Sequence, residues 1–86
     1  MKSIKVLLID DVPAFLREAS DALTGEGLTP VCCDDPREAV EVVAKHKPRA
    51  IVTTLVMKHR TGFDVIRDIR GKAHTQPILM VTGYGT

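Results

Sequence analysis

Asp10 and Asp11 stand side by side at the end of the aliphatic run Ile4–Ile9, "IKVLLI". Two adjacent carboxylates at a strand end are a natural site for a hard divalent cation such as Mg²⁺, which prefers oxygen ligands and keeps several waters. A helix cap beside a solvated acid accounts for the same pair. Thr82 ends a second aliphatic run, Pro77–Thr82, "PILMVT". Its hydroxyl can bond a phosphoryl oxygen or satisfy a strand-end backbone group. The other chemistry-bearing residues give less. His46, His59 and His74 are not spaced as metal ligands and read as surface residues. Cys32 and Cys33 are neighbours, a strained geometry for a mutual disulfide. With two cysteines in all, neither a disulfide framework nor a four-ligand zinc centre is expected. The sequence holds no glycine-rich phosphate loop and no suitably placed Cys–His or Ser–His pair.

These side chains need elements to place them. Ile4–Ile9 is almost uninterruptedly aliphatic, as a strand covered on both faces should be. In "VPAFLREASDALTGEG", Phe15, Leu16, Ala19 and Leu23 fall at helical spacing. Pro13 suits the first turn, and Gly25 or Gly27 the stop. Leu28–Cys32 reads as a weaker strand, and Pro30 puts it at a sheet edge. Next comes a helix from "DDPREAVEVVAKHK", with Asp35 as cap, Pro36 at the first position, Glu38 completing a capping box, and an inner stripe of Val40, Val43 and Ala44. Arg49–Thr54 is the third strand and "LVMKHRTG" a loop. "GFDVIRDIRGK" is a short helix that turns Val65, Ile66 and Ile69 inward and stops at Gly71. Pro77–Thr82 is the fourth strand. Strand and helix alternate throughout, which predicts right-handed crossovers and a parallel, doubly wound α/β sheet. The loops at the carboxyl ends of such strands gather the site.

The totals set limits. The 86 residues allow one domain, 1–86, with 44% hydrophobic and 27% charged residues and a net charge of +1. That composition is ordinary for a globular chain and offers no basic excess for nucleic acid. The N-terminal apolar run is too short for a signal peptide, and no run approaches the roughly 20 residues of a membrane span. A cytoplasmic protein without membrane partners is the expectation.

Taken in order and spacing, "VLLIDD" (Val6–Asp11), "KPRAIVTT" leading to Thr54, Gly62 eight residues further on, and "PILMVTG" (Pro77–Gly83) resemble the receiver domain of two-component response regulators. The resemblance spans the whole chain. It implies a flavodoxin-like sheet of order 2-1-3-4, lacking a fifth strand and fifth helix. It also implies a non-enzymatic part in phosphorelay signalling, with a histidine kinase or an output domain as protein partner. Asp10 and Asp11 match the family's Mg²⁺-holding acids, and Thr82 matches its phosphoryl-contacting hydroxyl. Thr54 falls where the family has its phosphoacceptor aspartate, Lys58 where it usually has proline, and the fifth-strand lysine has no counterpart.

A threonine hydroxyl is a poor nucleophile without a base. The change also removes one charge from the cation site, leaving Asp10, Asp11, a backbone carbonyl near Val56 and water. At most weak Mg²⁺ binding follows, with no other cofactor. The expectation is a degenerate receiver that acts by contact. Its rivals are a receiver phosphorylated at another acceptor and a small ligand-binding module on the same fold. Without a fifth strand, Ile78, Leu79, Met80 and Val81 would form an exposed apolar edge, which invites pairing with a second copy across a two-fold axis. A longer receiver, of which these residues are a piece, would account for the same edge.

Overall fold

Alternation along one strand divides the core. In β1 (Lys5–Ile9) the side chains of Val6 and Leu8 go to one face, those of Leu7 and Ile9 to the other, and all four are buried. Such a strand has to be central. The computed structural model, which describes residues 3–82, places it between β2 (Thr29–Cys33) and β3 (Ala50–Thr54), with β4 (Ile78–Val81) outside β3. All pairings are parallel, and Leu7 lies opposite both Val31 and Ile51. This is the expected order 2-1-3-4 of a doubly wound flavodoxin-like sheet. Pro30 sits on edge strand β2, where its missing N–H does least harm. Gly83 of the "PILMVTG" run lies outside the described residues.

Helix α1 (Pro13–Gly25) covers Val6 and Leu8 with Leu16, supported by Phe15, Ala19 and Leu23. It ends in a Schellman arrangement: Gly27 takes φ +84°, its N–H donates to the Thr24 carbonyl, and the Leu28 N–H donates to that of Leu23, each at 3.0 Å. Leu28 is thereby spent on the helix end, so β2 starts one residue later than its apolar run suggests.

The opposite face carries α2 (Ala39–His46) and α3 (Gly62–Gly71), whose Ala39, Val43, Val65 and Ile69 close over Leu7, Ile9, Cys33 and Ile51. Two expectations about α2 need correction. A 3₁₀ turn, Pro36–Glu38, precedes it, and Asp35 bonds the Arg37 N–H two residues on rather than forming a capping box with Glu38. The Arg37 guanidinium also grips both Asp35 oxygens, at 3.0 and 2.8 Å, and holds that carboxyl at about 2. The inner stripe centres on Ala39 and Val43, with Val40 and Val42 half-buried. Ala44, one step of about 100° beyond Val43, faces solvent.

The capping box lies on α3 instead. There the Thr61 hydroxyl accepts from the Asp64 N–H at 3.2 Å, and the Asp64 carboxylate accepts from the Thr61 N–H at 3.0 Å. Both cysteines are free: Cys33 is buried and donates to the Asp35 carbonyl, whereas Cys32 is exposed beside Ser20.

Candidate functional site

β1 and β3 are adjacent and in register, so their carboxyl ends bring Asp10 and Thr54 together across 44 positions of sequence. The Thr54 hydroxyl donates to Asp10 Oδ1 at 3.0 Å, and the Asp11 N–H donates to the same oxygen at 2.8 Å. Asp10 is only 4% exposed. Burial pushes its carboxyl up from the ordinary 3.8, outweighing the three donors that pull it down, the Thr54 hydroxyl and the Asp11 and Val12 amides; the neighbouring Asp11 charge adds to the rise. Asp11 is half-buried, and its Oδ2 accepts the main-chain N–H of Lys58 at 2.6 Å.

The structure thus gathers Asp10, Asp11 and Thr54 as the sequence suggests. Thr82 follows Val81, the partner of Thr54 in register, at the same sheet edge, but it is exposed and makes no side-chain hydrogen bond among the described residues. Val56 is 58% exposed, and the group that reaches the acidic pair from this loop is the Lys58 amide. Sequence reasoning did not assign that amide a role. Its only available signal was the resemblance, which implies proline where this chain has Lys58, since proline has no N–H to offer.

These residues do not fit a resident Mg²⁺ ion. One carboxylate is buried with its charged form disfavoured, each accepts protein donors, and the third position is a neutral hydroxyl whose proton points at Asp10. Among the described residues no three His, Cys, Asp or Glu side chains converge as metal ligands. Beside Asp11 an open cleft of about 300 Å³ mixes Asp34 and Asp35 with Arg37, Lys58 and His59, a lining that favours neither sign of ligand.

The raised Asp10 pKa has a measurable consequence. As pH climbs from 3.8 towards the folded-state value, the unfolded chain releases this proton while the folded chain keeps it, so stability falls through that window. Asp10→Asn keeps the Oδ1 acceptor and removes the charge. Urea titrations should find it more stable than the parent at pH 7, with the gap closing below pH 3.8. A variant weaker than the parent at pH 7 would show that the charged form is needed.

β4 supplies the other feature of this side of the molecule. Ile78 tucks under the α2–α3 core, and Met80 and Val81 are half-buried. The apolar edge expected over Ile78–Val81 therefore narrows to Leu79, which is 62% exposed. Leu79 lies opposite Val52, on the face that α1 covers further along the sheet. No helix among the described residues is long and apolar enough to cross a membrane.

Comparisons agree with this geometry. The response regulator receiver domain family matches residues 6–86. Response regulator MprA of Mycobacterium ulcerans is 31% identical over 80 residues, 93% of this chain and 34% of that protein. Acid tolerance regulatory protein ActR of Rhizobium meliloti is 30% identical over 80 residues, 93% of this chain and 41% of the relative. The chain therefore spans 34–41% of the length of these curated relatives. Among solved structures, Vibrio cholerae chemotaxis protein CheY4 superposes with a TM-score of 0.90 at 28% identity, covering 99% of this chain and 72% of that one. The response regulator domain of Thermotoga maritima CheB gives 0.86 at 25%, covering 99% and 64%. The sheet order, the acidic pair at the end of β1 and the match over residues 6–86 place the chain in the response regulator receiver domain family.

Proposed function

We propose that this chain is a pseudo-receiver: it takes part in two-component signalling by protein–protein contact and is neither phosphorylated on aspartate nor an enzyme. One observation carries the reading. At the end of β3, beside Asp10, stands a neutral hydroxyl that donates its proton to that acid. A receiver needs a carboxylate there as nucleophile, and a charge there to help hold the cation that offsets developing phosphate charge. Incubation with a small acyl phosphate and Mg²⁺, followed by intact-mass measurement, should leave the mass unchanged. A gain of one phosphoryl group overturns the proposal.

That result would favour a second reading, for which the same contact gives a reason. A carboxylate 3.0 Å from a hydroxyl is within reach to act as its base. Against it stands the product, a phosphate dianion placed beside Asp10 and Asp11.

The partners in this proposal are cytoplasmic: a histidine kinase, an output domain, or a second copy paired along β4. Edge pairing draws on Leu79 and the outer backbone of a short strand that carries no charged residue to deter it. Sedimentation velocity at micromolar concentration should give a dimer, and Leu79→Lys a monomer with unchanged circular dichroism. A monomeric parent would remove the second copy from the proposal without touching the phosphorylation result.

A further inference from the structure

The segment between β3 and α3 is held firmly at both ends. At the start, the Leu55 N–H bonds the Val81 carbonyl and the Leu55 carbonyl takes the Gly62 N–H, at 3.0 and 2.8 Å. At the far end, Arg60 makes a two-pronged ion pair with Asp68 on α3. Between them, Val56 is exposed and His59 takes a positive φ of 38°, an uncommon conformation for a residue other than glycine. Met57 is half-buried against the core under α2 and α3, so one side chain of the stretch is anchored by packing. Among the described residues, the hydrogen bond that ties its middle to the rest of the fold is Lys58 N–H to Asp11 Oδ2.

We infer that Asp11 is a loop clamp: its carboxylate fastens the β3–α3 loop to the end of β1 through the Lys58 main-chain N–H, a place where family-like receivers would present proline. Proline could not make this bond, because it has no N–H. The bond spans 47 positions of sequence and has a carboxylate acceptor, which makes it charge-assisted and stronger than a neutral pair. It also explains why the acidic pair is a poor cation site. Asp10 Oδ1 is committed to Thr54 and to the Asp11 amide, and Asp11 Oδ2 to the loop. The pair thus acts as an internal fastener between the end of β1 and the loop. This inference goes beyond the proposed function and does not depend on it, since the clamp exists whether or not Thr54 accepts phosphate.

Amide hydrogen exchange on the ¹⁵N-labelled chain tests it. In the parent, the Lys58 amide should exchange at least about ten-fold more slowly than in a free peptide, the size of effect one retained hydrogen bond gives. Asp11→Ala should abolish that protection and speed His59 and Arg60 by about ten-fold as well. Lys58→Ala keeps the N–H and should behave as the parent. Lys58→Pro removes it and should match Asp11→Ala at His59 and Arg60, with the double variant no faster than either single one. A Lys58 amide already exchanging at the free-peptide rate in the parent overturns the clamp. So does an Asp11→Ala variant that leaves it protected, and this readout stands even if the proline variant fails to fold.

Discussion

Replacing Thr54 by aspartate is expected to make the domain's stability depend on divalent cation. The parent hydroxyl lies 3.0 Å from Asp10 Oδ1 and donates to it. An aspartate there can donate nothing when ionised and brings a third carboxylate against Asp10 and Asp11. Two like charges about 4 Å apart repel by roughly 4 kcal/mol at the effective dielectric of a protein surface. Part of that is relieved when one carboxyl keeps its proton. A loss of about 2–3 kcal/mol at pH 7 in the presence of chelator follows, of the size that buried-charge substitutions usually cause. The loss should shrink as pH falls, because protonation removes the repulsion. It should also be recovered in millimolar Mg²⁺, since three carboxylates then form a site for a hard cation and binding to the folded state alone stabilises it. Urea titrations of parent and variant, with chelator and with Mg²⁺, decide the matter. A variant as stable as the parent and indifferent to Mg²⁺ would mean that position 54 is not electrostatically coupled to the acidic pair. That would remove the main support for reading Thr54 as a disabled acceptor.

Much of this architecture is legible in the residues. The unbroken aliphatic run of β1 requires cover on both faces, and alternation of strand and helix then leaves few topologies. Asp10 and Asp11 are legible for the same reason, since a parallel sheet collects strand-end residues at one edge. What stayed hidden depends on choices between equivalent local patterns. Asp35–Glu38 and Thr61–Asp64 both have capping-box spacing, and only the second forms one, because the Arg37 side chain takes both oxygens of Asp35. The Lys58 clamp is harder still. Every residue except proline carries a main-chain N–H, so nothing in a lysine advertises that its amide will meet Asp11. The edge strand shows a third kind of limit. Ile78, Leu79, Met80 and Val81 are alike in hydropathy, and only the pleat decides that Ile78 goes under α2 and α3 while Leu79 faces out.

Gly62→Ala should be the most damaging small substitution near the site. Gly62 opens α3 and is buried. A Cβ added there would lie 2.6 Å from the Thr54 carbonyl oxygen, 2.8 Å from Met80 Sδ and 3.1 Å from Leu55 Cα. The thioether can swing aside, but the backbone atoms cannot move as easily. The Thr54 carbonyl closes β3 and accepts the Thr53 hydroxyl, and Leu55 is tied to both Val81 and Gly62. Relief has to come from lifting α3 off the sheet, which opens the contacts of Val65 and Ile69 with the core. Overpacking of this kind costs about 1–3 kcal/mol where neighbours can yield, and more where they are backbone. A loss of about 3 kcal/mol is a large share of the roughly 5–15 kcal/mol that holds a domain folded. The control is Gly71→Ala, at the other end of the same helix. There an added Cβ meets nothing within 4 Å, so removing glycine's backbone freedom should stabilise by about 0.5–1 kcal/mol. Urea midpoints of the two variants should therefore move in opposite directions. If Gly62→Ala instead matched the parent, α3 would have to sit further from β3 than these distances allow.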